Sequence, residues 1–180
     1  MRFTSLPLKG ACLIDLDLKR DVRGFFARVW CDRTFQARGL EGEFVQSSIS
    51  FTEKRGTIRG LHYQHPPFEE AKLVRCARGA IFDVLVDVRE DAATYGKWHA
   101  EILRGDEYRL LYVAPGIAHG FQTLVDDTEV HYWMSSYHDP EAEAGVRFDD
   151  PAVAIEWPLQ AVRVSSRDLE LPRLKEKLHS

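Results

Sequence analysis

Arg59-Gly60-Leu61-His62-Tyr63-Gln64 is patterned like a β-strand, yet it carries a guanidinium, an imidazole, a phenol and an amide. Arginine and histidine are poorly suited to a buried strand unless they meet an anion, a proton or a metal. A second stretch, residues 115–121, has the same character around His119. The sequence therefore predicts a β scaffold that brings these two stretches to one pocket.

Short apolar segments recur along the chain at even intervals and are separated by turn signals. This spacing is typical of an antiparallel sandwich or barrel. Helices are predicted only at 33–38, with Asp32 as the cap, and at 172–178. The candidate strands are 10–18, 25–30, 43–51, 59–64, 72–77, 80–88, 97–103, 108–113, 118–124 and 128–136.

The composition is that of a globular protein. The 180 residues are predicted to form one domain, 1–180, with 44% apolar and 29% charged residues. A formal net charge of -4 gives no reason to expect nucleic acid or an anionic membrane as a partner. No apolar run is long enough to span a membrane, and the first residues lack the apolar segment of a signal peptide. We therefore expect a cytoplasmic protein in which Cys12, Cys31 and Cys76 are buried free thiols.

Several polar residues are unusual choices for plain core strands, and they form the candidate site. Histidine, tyrosine, lysine and a carboxylate together make a set for acid–base catalysis. Arg59 and Arg23, both near glycines, are suited to hold phosphates. The structural alternative is a core histidine with solvated surface arginines. The candidates are His62, His119, Lys72, Tyr132, Arg59 and Asp168.

A metal site is the other interpretation of the histidines. His62 and His65 are three apart, which places them on opposite faces of a strand. The sequence has no His-x-His pair and no glutamate at a matching interval, so metal catalysis is disfavoured. Strict alternation also places Arg59 and His62 on opposite faces. If both serve one site, we expect a bulge or a bend at Gly60.

Between residues 10 and 170 the chain resembles the dTDP-4-dehydrorhamnose 3,5-epimerase family. The resemblance implies a cupin-type antiparallel β jelly roll with short helices. It also implies an isomerase that uses no metal and no other cofactor. The matching motifs include Asp21-Val22-Arg23-Gly24-Phe25-Phe26, Arg59 to Gln64, Lys72-Leu73-Val74-Arg75, Ala118-His119-Gly120-Phe121 and Ser165-Ser166-Arg167-Asp168.

The resemblance implies a role for each catalytic residue. His62 would take protons from carbons 3 and 5, on either side of a 4-keto group. Asp168 would orient and polarise His62, as a carboxylate does for the histidine of other acid–base sites. Tyr132 would donate a proton from the opposite face. Lys72 would stabilise the enolate oxygen, where charge develops in the transition state.

The resemblance also implies a binding set and a partner. Arg59 and Arg23 would hold the diphosphate of a nucleotide-sugar, most simply a dTDP-sugar, and Asp83 would support His119. The family is usually a homodimer in which the N-terminal strands contact the partner. The complete substrate-binding set is Arg23, Phe26, Arg28, Gln46, Ser48, Arg59 and His119.

The chain departs from the family pattern mainly where the nucleotide is recognised. Arg28 stands where many members have a glutamate, and Ser48 stands where an asparagine is usual. The expected reaction converts dTDP-4-dehydro-6-deoxy-D-glucose to dTDP-4-dehydro-L-rhamnose, a precursor of cell-surface polysaccharide. A single-centre epimerase and a sugar-nucleotide ketoisomerase remain alternatives within this class. Outside it, a metal-dependent cupin enzyme and a non-catalytic sugar-binding jelly roll remain.

Overall fold

Antiparallel β-strands are the main secondary structure of residues 1–174, the part of the chain that this computed structural model describes. The elements in chain order are β1 (Arg2–Ser5), β2 (Cys12–Asp15), β3 (Lys19–Asp21), β4 (Gly24–Phe26), α1 (Asp32–Gln36), β5 (Gln46–Thr52), β6 (Ile58–Gln64), β7 (Lys72–Arg78), β8 (Ala80–Asp87), β9 (Trp98–Arg104), β10 (Arg109–Val113), β11 (Ile117–Thr123), β12 (Thr128–Met134), β13 (Glu143–Gly145) and α2 (Ser166–Glu170).

The strands form two main sheets and one separate hairpin. The six-stranded sheet has the order β1-β2-β10-β7-β12-β5, and the five-stranded sheet has the order β13-β6-β11-β8-β9. Neighbouring strands in both sheets are antiparallel, and many of them are distant in sequence. Such crossing connections between two sheets are those of a jelly roll. The hairpin of β3 and β4 pairs with neither sheet.

The main core draws residues from both sheets. Val74 and Leu111 of the six-stranded sheet and Leu85 and Phe121 of the five-stranded sheet are all almost completely buried there. Side chains alternate along a strand, so the neighbours of Leu85 point the other way. Val84 and Val86 accordingly belong to a second, smaller cluster on the far face of the five-stranded sheet. Burial on both faces explains why β8 is apolar almost throughout.

Most of the predicted strands are present, with ends shifted by a few residues. The segment predicted at 25–30 is shorter, since β4 ends at Phe26. Asp32 is the first residue of α1 and not its cap. The N-cap is Cys31, whose side chain makes no capping hydrogen bond, while Asp32 accepts a hydrogen bond from Gln36. Of the helix predicted at 172–178, residues 172–174 are not helical, and the rest lie outside the described residues.

The three cysteines are free thiols, as predicted. Cys12 and Cys76 are buried, and burial raises the pKa of the Cys12 thiol to about 11 and that of Cys76 to about 12. Cys31 is only partly buried, contrary to the prediction, because it lies at the exposed start of α1. No helix within residues 1–174 is long and apolar enough to cross a membrane.

Candidate active site

Side chains from both sheets line a cavity of about 850 Å³. Strands β6 and β11 contribute from the five-stranded sheet, and β5, β7 and β12 contribute from the six-stranded sheet. Residues 163–165, which precede α2, and Arg167 and Asp168 within α2 also line it. Eight of the residues predicted from the sequence line this cavity: Gln46, Ser48, Arg59, His62, Lys72, His119, Tyr132 and Asp168.

A bulge in β6 brings Arg59 and His62 to this one cavity. His62 pairs with His119 and Arg59 pairs with Phe121, so three residue steps on β6 face two steps on β11. Gly60 lies inside the bulge with a φ of +118°, which favours glycine. A Cβ at Gly60 would lie 2.5 Å from the Cα of Gly120. The predicted irregularity at Gly60 is therefore confirmed, and the close approach of two backbones requires glycine there.

His62 is held by Asp168. The Nε2 atom of His62 lies 2.7 Å from Oδ1 of Asp168, whose other oxygen accepts a hydrogen bond from the Gly60 N–H at 3.2 Å. The Asp168 N–H in turn donates to the Ser165 hydroxyl, which caps α2. An ionised carboxylate only accepts hydrogen bonds, so in the neutral imidazole Nε2 carries the hydrogen and Nδ1 keeps the lone pair. His62 is thus prepared to accept a proton at Nδ1.

The Asp168 carboxyl is ionised in spite of its burial. Burial alone would raise its pKa, since a buried charge loses solvation. The hydrogen bond from His62, the positive charge that His62 carries when it is protonated, and the hydrogen bonds from Gly60 and Ser165 outweigh that effect. The net result is a pKa below the ordinary value for aspartate.

Tyr132 projects into the cavity from the sheet opposite His62. It lies on β12, where it pairs with Ser48 of β5 and Val74 of β7. Burial raises the pKa of the Tyr132 phenol far above its usual value, and the nearby negative charge of Asp83 raises it further. The phenol therefore keeps its proton over the physiological pH range and can act as a donor.

His119 and Asp83 form a second, more deeply buried pair. Nε2 of His119 lies 2.5 Å from Oδ1 of Asp83, and Asp83 is completely buried. The His119 ring meets the Tyr132 ring edge to face, with centroids 6.1 Å apart. Asp83 does not line the cavity itself, so it acts on the site through its hydrogen bond with His119 and through its negative charge near Tyr132. Its Oδ2 atom has no hydrogen-bond partner within residues 1–174.

Lys72 has two fixed partners. Its Nζ donates to the backbone carbonyl of His62 at 3.2 Å and forms an ion pair with Oε1 of Glu70 at 3.1 Å. Glu70 also lines the cavity and is not among the residues predicted from the sequence. Its position two residues before Lys72, in a segment that joins two strands, was the only sequence signal for it.

Three arginines line the cavity, and they differ in their partners. Arg59 donates to the Thr52 hydroxyl and the Phe51 carbonyl, and no carboxylate within the described residues pairs with it. Arg163 lies 3.6 Å from Glu53, and Arg167 forms an ion pair with Glu143. Of these three guanidinium groups, that of Arg59 is the one whose charge is not balanced by a carboxylate of the described residues, so it is the best suited to bind an anionic ligand. Four further lining residues are not predicted from the sequence, and they come from loops, a short edge strand and α2: Arg163, Arg167, His138 and Glu143.

The hairpin residues Arg23 and Phe26 lie outside this cavity, and so does Arg28. Arg23 pairs with Asp21 in the same hairpin at 2.6 Å, and Phe26 is 67% exposed. Arg28 is exposed in the segment after β4. Their predicted contact with substrate is therefore not made within this copy of the chain, and it stays a prediction.

No three His, Cys, Asp or Glu side chains within residues 1–174 are grouped so as to hold a metal ion. Among the described residues, the site instead combines two His–Asp pairs, a phenol with a strongly raised pKa, a paired lysine and an arginine without a carboxylate partner. This set is suited to proton transfer next to an anion.

Comparisons with a family model, with curated relatives and with solved structures all give the same family. Residues 5–176 match the dTDP-4-dehydrorhamnose 3,5-epimerase family. The Sinorhizobium fredii dTDP-4-dehydrorhamnose 3,5-epimerase is 41% identical over 177 residues, which cover 98% of this chain and 91% of the relative. The crystal structure of the Bacillus anthracis enzyme of that name, with TDP and PPi bound, superposes with a TM-score of 0.92 at 38% identity. That match covers 96% of this chain and 99% of the other.

A second solved structure contains a sugar nucleotide. It is the Legionella pneumophila dTDP-6-deoxy-D-glucose-3,5-epimerase in complex with dTDP-4-keto-L-rhamnose, with a TM-score of 0.90 at 32% identity. The match covers 96% of this chain and 92% of that one. Superposition over nearly the whole chain confirms the predicted cupin-type jelly roll.

Proposed function

This chain belongs to the dTDP-4-dehydrorhamnose 3,5-epimerase family, and we propose that it inverts carbons 3 and 5 of a dTDP-linked 4-keto-6-deoxyhexose. The reaction converts dTDP-4-dehydro-6-deoxy-D-glucose to dTDP-4-dehydro-L-rhamnose, so the protein is an isomerase of L-rhamnose biosynthesis. One observation carries the proposal. A base held by a carboxylate, His62, and a protonated phenol, Tyr132, enter one cavity from opposite sheets.

The first half of each inversion removes a proton. Nδ1 of His62 takes the proton from the carbon next to the 4-keto group, and the electron pair of the C–H bond moves onto the keto oxygen. The ammonium of Lys72 stabilises the enolate oxygen. Asp168 holds the imidazole and stabilises the imidazolium that forms.

The second half returns a proton to the other face of the carbon. Tyr132 donates its phenolic proton, the enolate collapses to the ketone, and a phenolate is left. The imidazolium then loses a proton and the phenolate gains one by exchange with solvent, which restores the starting state. The raised pKa of Tyr132 keeps the phenol protonated before the reaction and makes the phenolate regain a proton readily after it. It also makes the phenol a weaker acid toward the enolate, so donation depends on Tyr132 being held next to the reacting carbon.

We assign three cavity residues to the nucleotide end of the substrate from their charge and position. Arg59 lines the cavity without a carboxylate partner among residues 1–174, and a guanidinium can bind a diphosphate through two parallel hydrogen bonds. The TDP and PPi in the Bacillus anthracis enzyme support a diphosphate ligand. Gln46 and Ser48 line the same cavity from β5 and are proposed to contact the nucleotide.

We also propose a one-domain homodimer in which the partner completes the site. The β3–β4 hairpin extends Val22 and Phe26 into solvent, away from its own cavity. Ile49 and Phe51 expose a further apolar surface on the edge strand β5. Exposed apolar surface of this kind marks protein interfaces. In a two-fold dimer, each hairpin would carry Arg23 to the partner's cavity, together with Phe26 and Arg28.

One experiment tests the activity and counts the inverted centres. The protein is incubated with dTDP-4-dehydro-6-deoxy-D-glucose in deuterium oxide, and the ring protons are followed by NMR. We expect deuterium at carbons 3 and 5 and a product with both centres inverted. His62→Ala should exchange at neither carbon. Inversion at one carbon indicates a single-centre epimerase, movement of the keto group indicates a ketoisomerase, and an unchanged substrate overturns the proposal.

A further inference from the structure

Glu70 is a cavity residue to which the proposed reaction assigns no role. Its side chain is 11% exposed, and that of its ion-pair partner Lys72 is 12% exposed. The adjacent backbone is fixed, because the Ala71 N–H donates to the Ser135 hydroxyl and the Ser135 N–H donates to the Ala71 carbonyl. Glu70 is therefore held in place next to the Lys72 ammonium.

The contacts of Lys72 leave one N–H for a ligand. An ammonium has three donors. One is directed to Glu70 and a second to the His62 carbonyl. The second contact also ties the ammonium to the residue that carries the base, so the distance between them is constrained. A lysine side chain has four rotatable bonds, and these two contacts select one of its many conformations.

We infer that Glu70 is a positioning residue for Lys72, which fixes the ammonium so that its third N–H meets the enolate oxygen. The inference rests on the proposed function, since it needs an enolate in the cavity. Without Glu70 the ammonium keeps only the His62 carbonyl and can rotate away from the oxygen. An error of about 1 Å at a reacting group costs on the order of 100-fold in rate. Glu70 itself contacts no reacting atom and acts only through the position of Lys72. Because Lys72 stabilises the enolate, the loss of Glu70 is expected to lower the rate of the chemical step.

Three variants separate positioning from a general structural effect. Glu70→Ala should lower kcat by about 10- to 100-fold and leave KM nearly unchanged. Glu70→Gln keeps an acceptor oxygen and should recover part of this loss. Glu69→Ala is the matched control, because Glu69 is the adjacent residue with the same side chain but is exposed and lies outside this cavity. It should behave as the wild type.

A double-mutant cycle with Lys72→Met gives the decisive readout. If Glu70 acts only through Lys72, Glu70→Ala should cause no further loss of kcat in the Lys72→Met background. Equal fold losses in both backgrounds would overturn the inference. Thermal unfolding of all four proteins checks the fold, and if Glu70→Ala does not fold, the same cycle with Glu70→Gln carries the test. A wild type that does not turn over the substrate contradicts the proposed function instead.

Discussion

Arg59 and His62 lie three positions apart on β6 and nevertheless face the same cavity. Three residues of a regular strand would place them on opposite faces. The bulge at Gly60 adds one residue against β11 and restores the common face. The same glycine donates its N–H to Asp168, so one backbone irregularity aligns the arginine, the histidine and the carboxylate. The site depends on this geometry.

Gly60→Ala should damage both the fold and the site. The new Cβ would lie 2.5 Å from the Cα of Gly120, and the φ of +118° is unfavourable for alanine. We expect the free energy of unfolding to fall by more than about 2 kcal/mol. Gly39→Ala is the control, because its φ is +68° with no atom within 4 Å, and it should cost about 1 kcal/mol. Equal losses in urea denaturation of the two variants would contradict this account.

Asp168→Asn should destabilise the protein at neutral pH and much less in acid. The pKa of Asp168 is lowered in the folded state, so its charge stabilises the fold above the unfolded value of about 4. The contribution disappears as the pH falls through the lower, folded pKa. We expect a difference of about 1–3 kcal/mol at pH 7, from the lost charged hydrogen bonds, that shrinks below pH 4. A difference independent of pH, measured by urea unfolding from pH 7 to pH 3, would show that the carboxylate is not the cause.

Mixing two defective variants should restore activity if the partner supplies Arg23. In the Arg23→Ala homodimer both sites lack Arg23, and in the His62→Ala homodimer both sites lack His62. In a mixed dimer, one site carries both defects and the other carries neither. After random exchange of subunits we expect about a quarter of the wild-type rate, because half of the dimers are mixed. No recovery in dimers shown to have exchanged, or a purely monomeric protein, would contradict the proposal.

The sequence predicted the strands well and the catalytic pairing only through the family resemblance. Alternating apolar residues indicate strands locally. The bulge was predictable because Arg59 and His62 both have functional side chains, yet their spacing of three would place them on opposite faces of a regular strand. Asp168 lies 106 residues from His62, and no local pattern links them. Their contact depends on the short helix α2, which was not predicted, since its few residues give too little periodicity.

Glu70 and the hairpin show two further limits of sequence reasoning. Glu70 looks like any charged residue in a connecting segment, and only the fold reveals that its carboxylate meets Lys72 inside the cavity. Arg23 was predicted as a ligand of the diphosphate, but one chain gives no indication of which copy it serves. The β3–β4 hairpin is exposed and lies outside its own cavity, and the proposed contact with a partner copy rests on that position.

The central claim is that His62 and Tyr132 act on opposite faces of the same carbon. A single base can remove a proton and put it back, which exchanges hydrogen but inverts nothing. Inversion therefore needs a second donor across the ring, and Tyr132 enters the cavity from the sheet that faces His62. Phenylalanine at this position keeps the ring and its packing against His119 but has no proton to give.

The most direct test is the ratio of deuterium incorporation to inversion in Tyr132→Phe, followed by NMR in deuterium oxide. We predict that deuterium still enters the substrate through His62 and the enolate. Formation of inverted product should fall by about 100-fold or more, which is the usual contribution of a positioned general acid. The ratio should therefore rise sharply relative to the wild type. An unchanged ratio would show that Tyr132 is not the proton donor and that the two-sided mechanism is wrong.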